Sequence, residues 1–381
     1  MFPAFQIYYD VLFAVFAFVL GSAIGSFLNV CIYRMPLGMS VNQPSRSFCP
    51  SCKYQIPWYR NLPLVSWLSL GGKCANCGAK ISFRYFGVEL LTGLLFFAMW
   101  WRVWMHPRPE WHGQGWVLTL PYFILVALLI VATFIDFEHY IIPDEITIGG
   151  TVAGVLLSFA IPLLHLQSTN LGGGLWALIG AAAGFAALWL VVNLGKLAFG
   201  KKRLTFDKPE PLTWTRRGEE ADFVVGEETM LWSEFFYRGN EQVLLECPEL
   251  EIDGERFENA SVRCTCDWLH IGDRKWELVK VDVIRGTVRE VTLPREAMGF
   301  GDVKFIAAIG AFLGWQAVAF TIVSASTIGA VVGVLAIVFG KREYSAKIPF
   351  GPYLALGALL WLFTGPELVR WYLATIAVPP A

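Results

Sequence analysis

Residues 117–144 read VLTLPYFILVALLIVATFIDFEHYIIPD. The stretch stays uncharged and apolar as far as Ile135, then meets Asp136, and closes on Pro143-Asp144. A bilayer core takes roughly 20 apolar residues per spanning helix, so 117–137 reads as a membrane span with an acid at its end. The composition agrees: 55% of the 381 residues are hydrophobic and only 16% charged, against about 25% charged in soluble domains. Further candidate spans are 10–33, 86–105, 146–166, 173–199, 303–315, 317–339 and 351–376, the sixth of the eight short and ending uncertainly among glycines. This composition excludes a disordered chain, a small disulfide scaffold and a nucleic-acid binder driven by net charge.

The net charge of −1 hides an uneven division. Residues 201–298 hold 15 Lys+Arg and 21 Asp+Glu, a net of −6, while the remaining chain nets +5. A soluble acidic insert therefore interrupts a sparsely charged membrane body. Segments 276–284 and 286–293 cluster β-branched residues, so the insert reads as β-rich. From Arg34 to Arg84, both included, there are seven basic residues and no acid, which places that loop in the cytoplasm by the positive-inside rule. Eight crossings then put 106–116 and 167–172 outside, and 138–145, the insert and 340–350 inside. Lys196, Lys201, Lys202 and Arg203, and then Lys341, Arg342 and Lys347, agree with that assignment. No basic residue precedes Arg34, so the first span lacks the positive start of a cleaved signal peptide.

The basic loop also holds Cys49-x2-Cys52 and Cys74-x2-Cys77. Two such knuckles let four thiolates converge on one Zn²⁺, and four protein ligands leave no open position, so the expected metal is structural. A reducing cytoplasm argues against disulfides here. Cys247, Cys264, Cys266 and His270 are conceivable ligands of a second site, but Cys-x-Cys is a poor knuckle spacing and packing is the simpler reading. Cys31 reads as a packing residue.

Only ten acids lie outside the insert, and acids within spans are functional candidates by default. Asp10, Glu110 and Glu367 fall in end or outside segments and call for no role. Glu89 lies just inside the second span, as a contact for a substrate amine or cofactor or as a hydrogen-bonded acid between helices. Asp302 closes Gly299-Phe300-Gly301-Asp302 and opens a span on the same side as Asp136. Two carboxyls at one depth suit an aspartyl dyad that shares a proton; a helix cap and an interface acid are the plainer alternative. Asp144 reads as an N-cap of the fourth helix. Lys304 either modulates Asp302 or snorkels, and Pro349–Pro352 sets a re-entry turn.

Several of these motifs together resemble one family. Gly25-Ser-Phe-Leu-Asn-Val-Cys-Ile-Tyr-Arg34-Met-Pro36, the two cysteine pairs, and Ile81-Ser-Phe-Arg-Tyr-Phe-Gly-Val-Glu89-Leu-Leu-Thr-Gly93 resemble the N-terminal part of bifunctional type IV prepilin peptidases. So do Asp136 through Asp144, Gly299-Phe-Gly-Asp302-Val-Lys304 and Ile348-Pro-Phe-Gly-Pro-Tyr353. The resemblance implies an inner-membrane aspartic endopeptidase that cuts the basic leader of prepilins or type II secretion pseudopilins on the cytoplasmic side. It further implies N-methylation of the new N-terminus from S-adenosylmethionine, although no glycine-rich cofactor loop is visible. Carried over residue by residue, Asp136 and Asp302 form the dyad, with Gly299, Gly301, Lys304, Asp144 and Glu89 in support. Cys49, Cys52, Cys74 and Cys77 hold zinc and shape the loop associated with methyl transfer.

The expected protein is thus all-α and polytopic, with about eight transmembrane helices, a cytoplasmic zinc-knuckle loop and a small β-rich cytoplasmic insert. Its segments are 1–33, 34–85, 86–200, 201–298 and 299–381. The insert departs from the family pattern; beside the second Asp it can steer basic leaders electrostatically, or serve as an appendage for a partner. Two rivals stand open: another protease of the Gly-x-Gly-Asp type, and a transporter or assembly scaffold whose Asp pair binds an ion.

Overall fold

A computed structural model describes residues 3–199, 201–218, 220–226, 228–236, 242–294, 298–339 and 349–377. Lys341, Arg342, Lys347 and Ile348 lie outside the described residues. The chain divides into a helical unit, 1–189 with 299–381, and a second unit, 190–298.

The helical unit starts with α1 (Pro3–Arg34), which is followed by the cysteine loop and its short α2 (Val65–Ser69). Next come α3 (Phe83–Trp100), α4 (Thr119–His139), α5 (Asp144–Ala160) and α6 (Asn170–Phe199). Each begins or ends where its sequence demands. The Ser82 hydroxyl caps α3 by accepting the Arg84 N–H, α4 stops at Tyr140 in the left-handed region, and Pro143 starts α5. Leu125, Val126, Leu129, Ile130 and Ile135 of α4 are buried, so this helix lies at the centre of the unit.

Among the described residues, five helical stretches are long and apolar enough to cross a membrane: Tyr9–Leu37, Phe83–Met105, Gly115–His139, Asn170–Lys196 and Trp315–Val338. Of the other three expected spans, 146–166 corresponds to the 17-residue α5. The 303–315 span is α7 (Phe300–Leu313), only 14 residues before Gly314 ends it. The span expected over 351–376 is apolar enough only when taken as a broken pair. It is two helices, α9 (Gly351–Phe363) and α10 (Gly365–Ala377), bent by 75°. Gly365-Pro366 breaks an apolar run that hydropathy alone reads as continuous. The outward faces of the long helices, such as Val323, Val331 and Val338 of α8 (Trp315–Val338), remain exposed, as a lipid-facing surface requires.

The second unit is a single antiparallel sheet. Its strands are β1 (Lys201–Arg217), β2 (Glu220–Val225), β3 (Glu228–Leu231), β4 (Val243–Ile252), β5 (Glu255–Cys264), β6 (Trp268–Ile271), β7 (Arg274–Glu277) and β8 (Val283–Pro294). They pair in the order β3-β2-β1-β8-β4-β5-β6-β7. Alternate residues, Val243, Leu245, Cys247, Leu250 and Ile252 on β4 among them, enter one apolar core with Trp214, Phe223 and Trp232. The Trp232 indole N–H reaches across to the Cys266 carbonyl at 3.2 Å, so the sheet curls upon itself. Residues 276–284 are not one strand: a 3-10 turn over Leu278–Lys280, anchored by buried Leu278, separates β7 from β8.

Candidate active site and metal centre

Asp136 lies in the last turn of α4, directly after buried Ile135 and before exposed Phe137. The Tyr140 N–H donates to the Asp136 carbonyl at 2.9 Å and closes the helix there. The side chain points inward, 5% exposed, and its Oδ2 accepts the Gly351 N–H at 2.9 Å. Gly351 must be glycine: a Cβ at that position would come within 2.7 Å of this oxygen. Asp302 enters in the first turn of α7, after Gly299 as cap, where the helix dipole favours a carboxylate. It is 7% exposed and lies within electrostatic reach of Asp136. Its Oδ1 is buried without a hydrogen-bond partner among the described residues. Ile142 packs beneath both Gly301 and Gly351, so the α4–α5 turn sets the spacing of the α7 and α9 tips.

The supporting residues are placed differently from expectation. Asp144 is not the N-cap of α5. Pro143 holds that position, with no side-chain cap bond, and the Asp144 carboxylate accepts from the Lys304 ammonium. Lys304 also lies over the Phe300 ring, turned toward Asp144. Glu89 Oε2 accepts the Leu64 N–H at 2.7 Å, which ties α3 to the cysteine loop. Arg84 pairs with Glu138 and so joins the start of α3 to the end of α4. The tips of α1, α3, α4, α5, α7 and α9 therefore gather at one end of the helical unit.

The cysteine loop at that end is built from two matching turns. In the first, the Lys53 N–H donates to the Cys49 carbonyl and the Cys49 N–H to the Tyr54 carbonyl. In the second, Gly78 and Cys74 repeat the pattern with the Cys74 and Ala79 carbonyls. Both Lys53 and Gly78 take the left-handed conformation, at φ 58° and 70°; only glycine adopts it without strain. The sulfurs face one another, with Cys49···Cys77 at 3.9 Å, Cys52···Cys74 at 4.0 Å and all four within 4.8 Å. Four sulfurs placed tetrahedrally about 2.3 Å from a zinc would be about 3.8 Å apart, so the donor set fits that ion. Backbone amides lower the Cys49, Cys52 and Cys74 thiols, as metal ligation requires. The Ala79 amide pulls Cys77 down, but Cys52, burial, Cys74 and Cys49 together push it up to about 11.

Two of the insert cysteines, Cys247 and Cys264, behave as core residues. Burial, with the Glu246 charge, pushes Cys247 up to about 12, burial also raises Cys264, and Cys266 is exposed. Sequence reasoning missed two features. Buried Arg34 gathers the Ser40, Val41 and Pro44 carbonyls at 3.0–3.2 Å and so folds the start of the loop. At the opposite end of the unit Glu367 pairs with Arg102 and Arg108, while Glu110 pairs with Arg370. The positions of Glu110 and Glu367 outside the long spans signalled no role, but both clamp α10.

Two family models match the chain. That of the bacterial peptidase A24 N-terminal domain covers residues 19–103, and that of the type IV leader peptidase family covers 123–204 and 283–334. The second breaks off across most of the β unit. Among curated proteins, a prepilin leader peptidase/N-methyltransferase from Myxococcus xanthus is 42% identical over 54% of this chain and 58% of its own length. Proteins of the same description from Aeromonas salmonicida and Pseudomonas aeruginosa are 28% and 27% identical, over 94% and 95% of this chain and 93% of each of theirs. No solved structure matches the chain.

Proposed function

Because the chain belongs to the type IV leader peptidase family, we propose that Asp136 and Asp302 are the catalytic pair of an aspartic endopeptidase that removes prepilin or pseudopilin leaders. The observation that carries this reading is two buried carboxyls on the facing tips of α4 and α7, one of them with an oxygen left unpartnered. Two acids in so dry a site share one proton. The ionised member takes a proton from water as the water oxygen attacks the scissile carbonyl carbon, while the protonated member gives its proton to the carbonyl oxygen. Collapse of the tetrahedral intermediate breaks the C–N bond, the leaving amine takes a proton, and the pair returns to its starting state. The Gly351 amide holds Asp136 in place by binding its second oxygen.

On this reading α5, α7 and the bent α9–α10 pair join the five long spans as three further crossings, and this end would face the cytoplasm of an inner-membrane protein. The positive-inside bias of 34–84 supports that orientation. The four cysteines hold a structural Zn²⁺ that fixes the loop. The same chain methylates the new N-terminus, with S-adenosylmethionine as the supplier of the methyl group when bound. The test uses full-length protein in detergent with a prepilin substrate and mass spectrometry of the pilin N-terminus. Asp136→Asn and Asp302→Asn should each lower cleavage by about 10²–10⁴-fold while metal content is kept. Cleavage near the parental rate in either variant would overturn the dyad.

A further inference from the structure

Between the cysteine loop and helices α1 and α3 lies a cavity of about 340 Å³, within the range of small-molecule sites. The rings of Tyr33, Phe48, Trp67 and Tyr85 line it together with many polar side chains, among them the zinc-ligand candidates Cys49 and Cys74. Asn29 is 3% exposed, and its Nδ2 donates to the Tyr85 carbonyl at 2.9 Å. Its Oδ1 has no partner among the described residues. A buried acceptor left unpaired is destabilising, and a donor on a ligand would satisfy it. Glu89, held by the Leu64 amide, is the only acid among the described residues of the lining, and Arg34, Arg60 and Lys80 line the cavity as cations.

These groups ask for a ligand with a hydrogen-bond donor, a planar ring, a cationic centre and a carboxylate. An adenosyl sulfonium amino acid has all four: an exocyclic amine on a flat base, a sulfonium and an amino-acid carboxylate. The Arg84–Glu138 ion pair ties this wall to the turn that carries Asp136, so the cavity lies at the end of the unit where a cleaved N-terminus would be made. Building on the methyltransferase reading above, we infer that this cavity is the S-adenosylmethionine site, with Asn29 and Glu89 as its polar anchors. The aromatic walls suit both the base, by stacking, and the sulfonium, by cation–π contact.

Equilibrium binding of S-adenosylmethionine and of its neutral product S-adenosylhomocysteine to the full-length protein in detergent tests this, alongside photolabelling with an 8-azido analogue. Label should map to peptides within 26–34, 47–54 or 80–89. Asn29→Leu should weaken both ligands at least tenfold. Glu89→Gln keeps an acceptor for the Leu64 amide but loses the charge, so it should weaken the sulfonium several-fold more than the thioether. Unchanged metal content and Tm would show that each variant folds; if Asn29→Leu does not, the Glu89→Gln ratio and the label positions decide. Parental binding with label elsewhere, or with parental affinity in both variants, overturns the site and leaves the methyltransferase reading intact. Absence of binding by the parental protein overturns that reading together with the site.

Discussion

The Gly351 amide occupies Oδ2 of Asp136. Adding a methyl group there places a carbon 2.7 Å from that oxygen, so Gly351→Ala should rotate the carboxyl or push α9 away. Cleavage should fall at least a hundredfold with Tm and metal content nearly unchanged; parental turnover would show that this contact does not position Asp136. Asp144 should matter far less, because its pair with Lys304 is partly exposed and such pairs contribute about 0–1 kcal/mol. Asp144→Asn is expected to keep cleavage within about fivefold, measured against Asp136→Asn in the same assay. That Asp136 and Asp302 would be buried in the helical unit was legible because acids are so scarce in the membrane body. The Gly351 contact was not, since a backbone N–H has no letter of its own. Asp144 was misread because Pro-Asp-Glu has the composition of a helix start, while its true partner lies 160 residues away.

Among the elements, the two cysteine turns were the most readable, because their spacing is local and the chemistry of four thiolates is restrictive. Replacing one ligand by serine leaves three thiolates and an exposed ion, so Cys74→Ser should lower bound metal from one per chain to a small fraction. Elemental analysis would check the loss, and faster proteolysis within 35–82 would report the loosened loop. One metal per chain retained in that variant would argue that the cluster holds no ion. Helix existence was legible from apolar runs, but helix continuity was not. Hydropathy passes smoothly across Gly365-Pro366, where the chain turns by 75°. The same blindness joined β7 to β8, since Leu278 is as apolar in a 3-10 turn as in a strand.

At the scale of the whole molecule, the division of charge is the property with most kinetic consequence. If the acidic unit steers basic leaders, deleting 204–292 and bridging 203 to 293 with a short linker should lower kcat/KM several-fold at low ionic strength. The two proteins should converge near 1 M salt, where the Debye length shrinks to about 3 Å. Equal kinetics at both extremes would reduce the unit to an appendage for another partner. Its acidity and β character could be read in advance. Its eight-stranded order could not, because pairing between β1 and β8 joins residues 68 to 93 positions apart, from Thr215↔Val283 to Lys201↔Pro294, and long-range pairing leaves no local pattern.

That pairing has a practical side. Lys201 and Pro294 are partners across adjacent strands, roughly 5 Å apart, so the sheet begins and ends at nearly one point. A domain anchored this way behaves like a cartridge: it can be lifted out, or exchanged for any compact domain whose two ends lie side by side, without spreading the helices it joins. A fluorescent barrel or an affinity module spliced between 203 and 293 would then give a tagged protease whose termini and membrane helices remain untouched.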